Sequence, residues 1–170
     1  MNDSPRSKKN LNLNIIALIL LIAVGTIIIL FRTTYPFIYL PLYFLTWIFY
    51  FTVGGYFTCR HCDFLGKPCP SWNKGIVAGK LFKRSDKKNF MEIPKWQFIL
   101  FNVTFLVFGL FSPYIPFAII FIDPIRRMTF IDNILLPLYF ILEVTTIGLH
   151  SYGCRKCTIS ECPLSKAGKN

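Results

Sequence analysis

The six cysteines of the chain fall in two short patterns, Cys59-x2-Cys62-x6-Cys69-Pro70 and Cys154-x2-Cys157-x4-Cys162-Pro163, and none lies elsewhere. Two residues between cysteines let both thiolates turn toward one centre, which is why zinc and iron-sulfur sites use this spacing. An iron-sulfur cluster with full cysteine ligation needs four thiolates, so three per pattern leaves each one short. Either four of the six serve a shared site, or each pattern recruits a non-cysteine ligand or leaves an iron open. His150 is the leading non-cysteine candidate, because it precedes Cys154 by four and shares its face on a continuing helix. Three cysteines and one histidine would also suit zinc. His61 sits between two candidate ligands, where neighbouring side chains seldom converge. Asp63 and Glu161 flank cysteines within basic surroundings and read as solvated charges.

One carboxylate has a different setting. Glu143 is the single acidic residue inside an apolar stretch, and an ionisable group at membrane depth is a functional candidate by default. Glu143, His150 and Cys154 follow at intervals of seven and four, one helical stripe running from mid-membrane to the second cysteine pattern. The stripe suits a proton route or part of a quinone pocket; the plainer alternative is a protonated Glu143 hydrogen-bonded within a bundle, with Asn102 as a partner. Gly75 to Lys80 brings a phosphate loop to mind, but one spacer is missing and Leu81 replaces the Ser or Thr that would hold magnesium. The Asn102-Val103-Thr104 sequon lies inside an apolar stretch. No Ser-His-Asp set or paired carboxylates points to a hydrolase.

These residues need a scaffold, and composition indicates which kind. The 170 residues are 54% hydrophobic and 17% aromatic, with a mean hydropathy of +0.49, beyond what a soluble domain carries. The predicted spans are Leu11 to Phe31, Phe37 to Phe57, Trp96 to about Ile122, and Ile134 to His150. The first has a longer apolar core than the roughly 7 to 15 residues of a signal peptide and reads as an uncleaved anchor. The third is interrupted at Ser112-Pro113-Tyr114-Ile115-Pro116, where it either kinks or ends near Phe111, leaving Phe117 to Ile122 at the interface. Residues 59 to 95 form the one long polar region, a loop with one short interfacial helix.

Charge gives the orientation. The N-terminal arm, the 59 to 95 loop and the C-terminal tail carry three, nine and four Lys or Arg, against three (Arg32, Arg126 and Arg127) on the opposite side. That bias places both termini and both cysteine patterns in the cytosol, where thiols stay reduced. It also explains the net charge of +11 through membrane topology and anionic lipid, so no nucleic-acid partner is expected.

An internal repeat organises the chain. Pro41-Leu42-Tyr43-Phe44 recurs as Pro137-Leu138-Tyr139-Phe140, with Cys59 18 residues beyond the first proline and Cys154 17 beyond the second. Trp47 and Glu143 occupy corresponding positions. The reading is therefore an all-α integral membrane protein of four transmembrane helices, arranged as two parallel helix-hairpin repeats that each end in a cytosolic cysteine knuckle. Its parts are a basic arm (1–10), a first helix pair with cysteine cluster and basic loop (11–95), and a second pair with cluster and tail (96–170).

The Cys69-Pro70 and Cys162-Pro163 endings resemble the cysteine-proline endings of bacterial ferredoxin motifs. Together with the hydropathy, they resemble the membrane-integral iron-sulfur proteins of nitrate and nitrous-oxide respiration. Those proteins typically show C-x3-C-P and a separate ferredoxin-type domain, whereas this chain has the longer spacings and no such domain. The resemblance implies membrane-associated electron transfer through an iron-sulfur cluster, with a redox protein or quinone as partner and the bilayer as solvent. Two other classes share the pattern: a zinc-knuckle docking protein, and a thiol-disulfide oxidoreductase passing electrons to quinone. The cysteines of the latter class face the oxidising side, against the charge bias found here.

Overall fold

The computed structural model describes residues 8–33, 35–69, 71–84, 96, 100, 103–122 and 130–155. The elements are α1 (Lys8–Arg32), α2 (Pro36–Phe51), α3 (Val53–Thr58), a 3-10 turn (Cys59–His61), α4 (Lys74–Leu81), α5 (Thr104–Phe111), a second 3-10 turn (Ser112–Tyr114), α6 (Ile115–Ile122) and α7 (Phe130–Arg155). Among the described residues, three stretches are long and apolar enough to cross a membrane: Leu11–Arg32, Pro36–His61 and Phe130–Cys154. They correspond to the first, second and fourth predicted spans. A shorter apolar helix covers Thr104–Ala118.

Where the sequence left a choice between a kink and an end at Phe111, the chain bends and continues. Pro113 and Pro116 bring no N–H, so α-helical bonding lapses for one turn; the Ile115 N–H then pairs with the Ser112 carbonyl and the chain re-enters a helix. The Tyr139 hydroxyl donates to the Leu110 carbonyl at 2.8 Å beside this bend. A backbone group buried at such a bend needs a partner of this kind, since no water reaches it. Phe117, expected at the interface had the helix ended, is buried.

Small residues let helix backbones approach closely. Gly25 of α1 is the clearest case. A Cβ there would lie 2.5 Å from the Tyr43 hydroxyl and 3.1 Å from both the Pro113 and Tyr139 rings. Helices α2 and α7 and the bend beyond α5 therefore meet α1 at one hydrogen-sized gap. Helix α5 runs antiparallel to α2, because Phe105 stacks on Phe49 while the later Gly109 abuts the earlier Trp47.

The two Pro-Leu-Tyr-Phe segments present the same face inward. Tyr43 and Tyr139 are buried, while Pro41, Leu42, Phe44 and their counterparts Pro137, Leu138 and Phe140 are exposed. From each tyrosine a buried stripe continues at helical spacing: Trp47 and Tyr50 on α2 and Gly54 on α3, Glu143 and Thr146 on α7. The outward faces are apolar too, Phe37 being 91% exposed.

The last helix begins earlier than the span that hydropathy placed there. Helix α7 starts at Phe130, not Ile134, and its first turn carries Asp132 into the bundle with 0% exposure, where Arg32 pairs with it through Nε and Nη2. Glu143 is thus one of two buried acids on α7. Apolarity alone gave the shorter span, because a paired acid is invisible to hydropathy.

Candidate thiolate site

The first cysteine pattern is a folded knuckle. Helix α3 delivers Cys59 into the 3-10 turn, and the Cys62 N–H bonds back to the Cys59 carbonyl at 3.1 Å. A second turn follows, with the Leu65 N–H on the Cys62 carbonyl at 3.1 Å, and the Phe64 N–H reaches the Cys62 Sγ at 3.5 Å. Cys69 lies buried at the far end, its Sγ accepting the Gly75 N–H at 3.2 Å. None of Cys59, Cys62, Cys69 and Cys154 is in a disulfide.

Helix α4 clamps this knuckle through its glycines. A Cβ on Gly75 would sit 2.5 Å from the Phe64 carbonyl oxygen, and one on Gly79 would strike the Gly66 backbone. The Gly66 N–H also bonds the Gly75 carbonyl at 2.9 Å. The glycines that brought a phosphate loop to mind are there for backbone-to-backbone contact.

Lys74, at the start of α4, is the residue sequence reasoning missed. It was counted among the basic loop residues, yet it is 2% exposed, with Nζ 3.8 Å from the centre of the Tyr50 ring and the Cys59 and Cys69 thiols in electrostatic reach. Burial pushes its amine down to about 8, with the two cysteines working the other way. Burial likewise pushes the Cys69 thiol up, opposed by the Gly75 N–H and, more weakly, by Lys74. The signal in the sequence was Trp72-Asn73-Lys74-Gly75, an aromatic and a glycine enclosing one lysine within a polar loop.

Trp72 carries the contact to the other half. Its ring stacks on His150 at 4.5 Å and 26° and lies 5.7 Å from Tyr50. One turn on along α7, Cys154 Sγ is 3.6 Å from His150 Nε2. The predicted stripe on α7 therefore reaches the first cysteine knuckle. Higher up, Glu143 is 5% exposed and accepts the Tyr114 hydroxyl at 2.7 Å. Tyr114 is a partner that the sequence did not suggest; Asn102 lies outside the described residues.

Cys157, Cys162, Glu161, Pro70 and Pro163 also lie outside the described residues. His61 closes the first 3-10 turn, and Asp63 pairs with Arg84 at the surface, as its reading as a solvated charge implied. Among the described residues no three Cys, His, Asp or Glu side chains converge closely enough to hold a metal ion as they stand. The chain matches no family model, no curated protein and no solved structure. What fold and site define is a class: a helical protein with membrane-length helices that gathers thiols, an imidazole and a buried ammonium at one end of the bundle.

Proposed function

We propose that the chain is a four-span integral membrane protein, built from two related helix pairs in the same orientation. In this reading its cysteines lie at the cytosolic face, bind an iron-sulfur cluster or zinc, and serve membrane-associated electron transfer. The observation that carries it is the provision made for anionic sulfur. Two backbone N–H groups donate to cysteine sulfurs, and a buried ammonium seated over the Tyr50 ring lies within electrostatic reach of two thiols; metal-bound thiolates are a form of cysteine that such donors stabilise. The corresponding inward faces of α2 and α7 support the repeat, and the basic residues of the arm, loop and tail support the orientation. Glu143 with Tyr114, on the helix that carries His150, is the candidate for proton or quinone contact. A redox protein or quinone would be the electron partner.

The test is metal and acid-labile sulfide in protein purified anaerobically in detergent, with the visible spectrum taken before and after dithionite. Iron with sulfide and a bleachable band near roughly 400 nm is the expected result for cysteine-ligated clusters. Zinc without colour would make the protein a zinc-knuckle docking module. A second reading has its own observation: Cys59 and Cys69 influence each other electrostatically beside one lysine, as a redox dithiol would. Absence of metal, with a disulfide forming between these two on mild oxidation, would establish that thiol-disulfide chemistry instead.

A further inference from the structure

We infer that the knuckle end of the second membrane-length stretch holds one anionic phospholipid, its headgroup phosphate on Arg60 and Lys83 and an acyl chain along the exposed stripe of Leu45, Phe49 and Tyr56. This rests on the membrane-spanning part of the reading above and is independent of the metal.

Arg60 is held in two places. Its guanidinium lies over the Tyr56 ring, with Cζ 4.4 Å from the ring centre, and its Nε donates to the Lys83 carbonyl at 3.2 Å. Those contacts fix the plane of the fork and use its Nε. The paired Nη1 and Nη2 edge remains, and that edge grips a phosphate with two parallel hydrogen bonds. Lys83, whose carbonyl takes the Nε bond, is itself exposed, as is Lys80 in the last turn of α4. Asp63 is matched by Arg84. Among the described residues, the net positive charge of this corner therefore comes from Arg60, Lys80 and Lys83.

Apolar groups decide which anion. Tyr56 meets Phe82 edge to face at 5.3 Å, so two aromatic rings flank the basic cluster, and Leu81, between Lys80 and Phe82, is 53% exposed. A soluble phosphate gains nothing from exposed leucine and tyrosine, whereas basic and aromatic side chains mixed in this way suit the headgroup region of an anionic leaflet. Leu45, Phe49, Tyr56 and Arg60 follow at intervals of four, seven and four on one face of Pro36–His61, and the first three are exposed. Thr52 keeps a helical backbone between α2 and α3, so the stripe is unbroken. From Leu45 to Arg60 a helix rises about 22 Å, more than half of the roughly 30 Å hydrocarbon core, so the acyl chain of one leaflet fits beside it.

The experiment titrates delipidated full-length protein in detergent with phosphatidylglycerol and with phosphatidylcholine of the same acyl chains, counting bound lipids by native mass spectrometry. The expected result is one phosphatidylglycerol bound at concentrations that load no phosphatidylcholine. Arg60→Gln and Lys83→Gln should each weaken it about fivefold, the worth of one cation at a lipid surface. Arg60→Lys, which keeps the charge and loses the fork, should fall between wild type and Arg60→Gln. Lys67→Gln, which removes an exposed charge from the same loop, should stay near wild type. Thermal melts of each variant in detergent confirm that the fold is kept. Equal retention of the two lipids, equal losses for Lys67→Gln and Arg60→Gln, or displacement of the lipid by an equal concentration of inorganic phosphate would overturn the site while leaving the membrane reading intact. Recovery of the protein in the aqueous fraction without detergent would end both.

Discussion

A lysine almost fully removed from solvent at the end of a helical bundle costs stability unless something negative accompanies it. In metal-free protein, Lys74→Met should therefore raise stability, and the gain should depend on pH in a particular direction. Below about 8 the folded wild type holds a buried ammonium. Between there and the usual amine value, the folded state sheds its proton before the unfolded state does, so wild-type stability rises with pH and the advantage of Lys74→Met shrinks. Thermal melts in detergent across that interval, comparing the two proteins, check it; a pH-independent difference would contradict the burial. With metal present the order reverses, and the same variant should lose roughly 10–100-fold in zinc affinity, as removal of a supporting group does. Tyr114→Phe should destabilise by about 1–3 kcal/mol, because a buried acceptor on Glu143 loses its donor. Glu143→Gln should cost less, since its carbonyl still accepts from Tyr114. Glu143 was legible in the sequence as an acid among apolar residues, whereas Lys74 was not, being one basic residue among nine in its loop.

At the level of elements, α4 and the knuckle act as one piece because glycine backbones interlock. Gly75→Ala should force α4 off the Phe64 carbonyl and speed alkylation of Cys69 in metal-free protein, read as a rate against wild type. Gly148→Ala is the matched control, for nothing lies within 4 Å of its added methyl, and it should leave stability within about 1 kcal/mol of wild type. The long helices were readable from hydropathy, since length and apolarity are what a bilayer demands of them. The bend at Ser112–Tyr114 was readable as a question, because proline removes donors but does not say whether neighbours replace them. The clamp was not legible: close backbone contact and phosphate binding both call for glycine, and setting the phosphate loop aside left these glycines without a role. The start of α7 was misplaced for a related reason: Asp132 looks like a loop residue until Arg32, a hundred positions away, is brought beside it.

For the whole molecule, the prediction to make is topological. Membrane-impermeant alkylation of sealed vesicles should label the cysteines only when the cytosolic face is presented; labelling from the other face alone would sink the assigned orientation. The Arg32–Asp132 pair ties the end of α1 to the start of α7 at the opposite end of the bundle from the thiols. Arg32→Ala should cost about 3–5 kcal/mol, and replacing both partners by leucine should recover much of it, as double-mutant melts would show. That pair, with the Gly25 contact, has a consequence for synthesis. Helix α1 is made before α7, and Asp132 and Tyr139, which complete its packing, are made a hundred or more residues after their partners Arg32 and Gly25. A nascent chain released before α7 emerges carries an arginine without its carboxylate and a helix without its neighbour, and cellular quality control can recognise that fragment as unfinished.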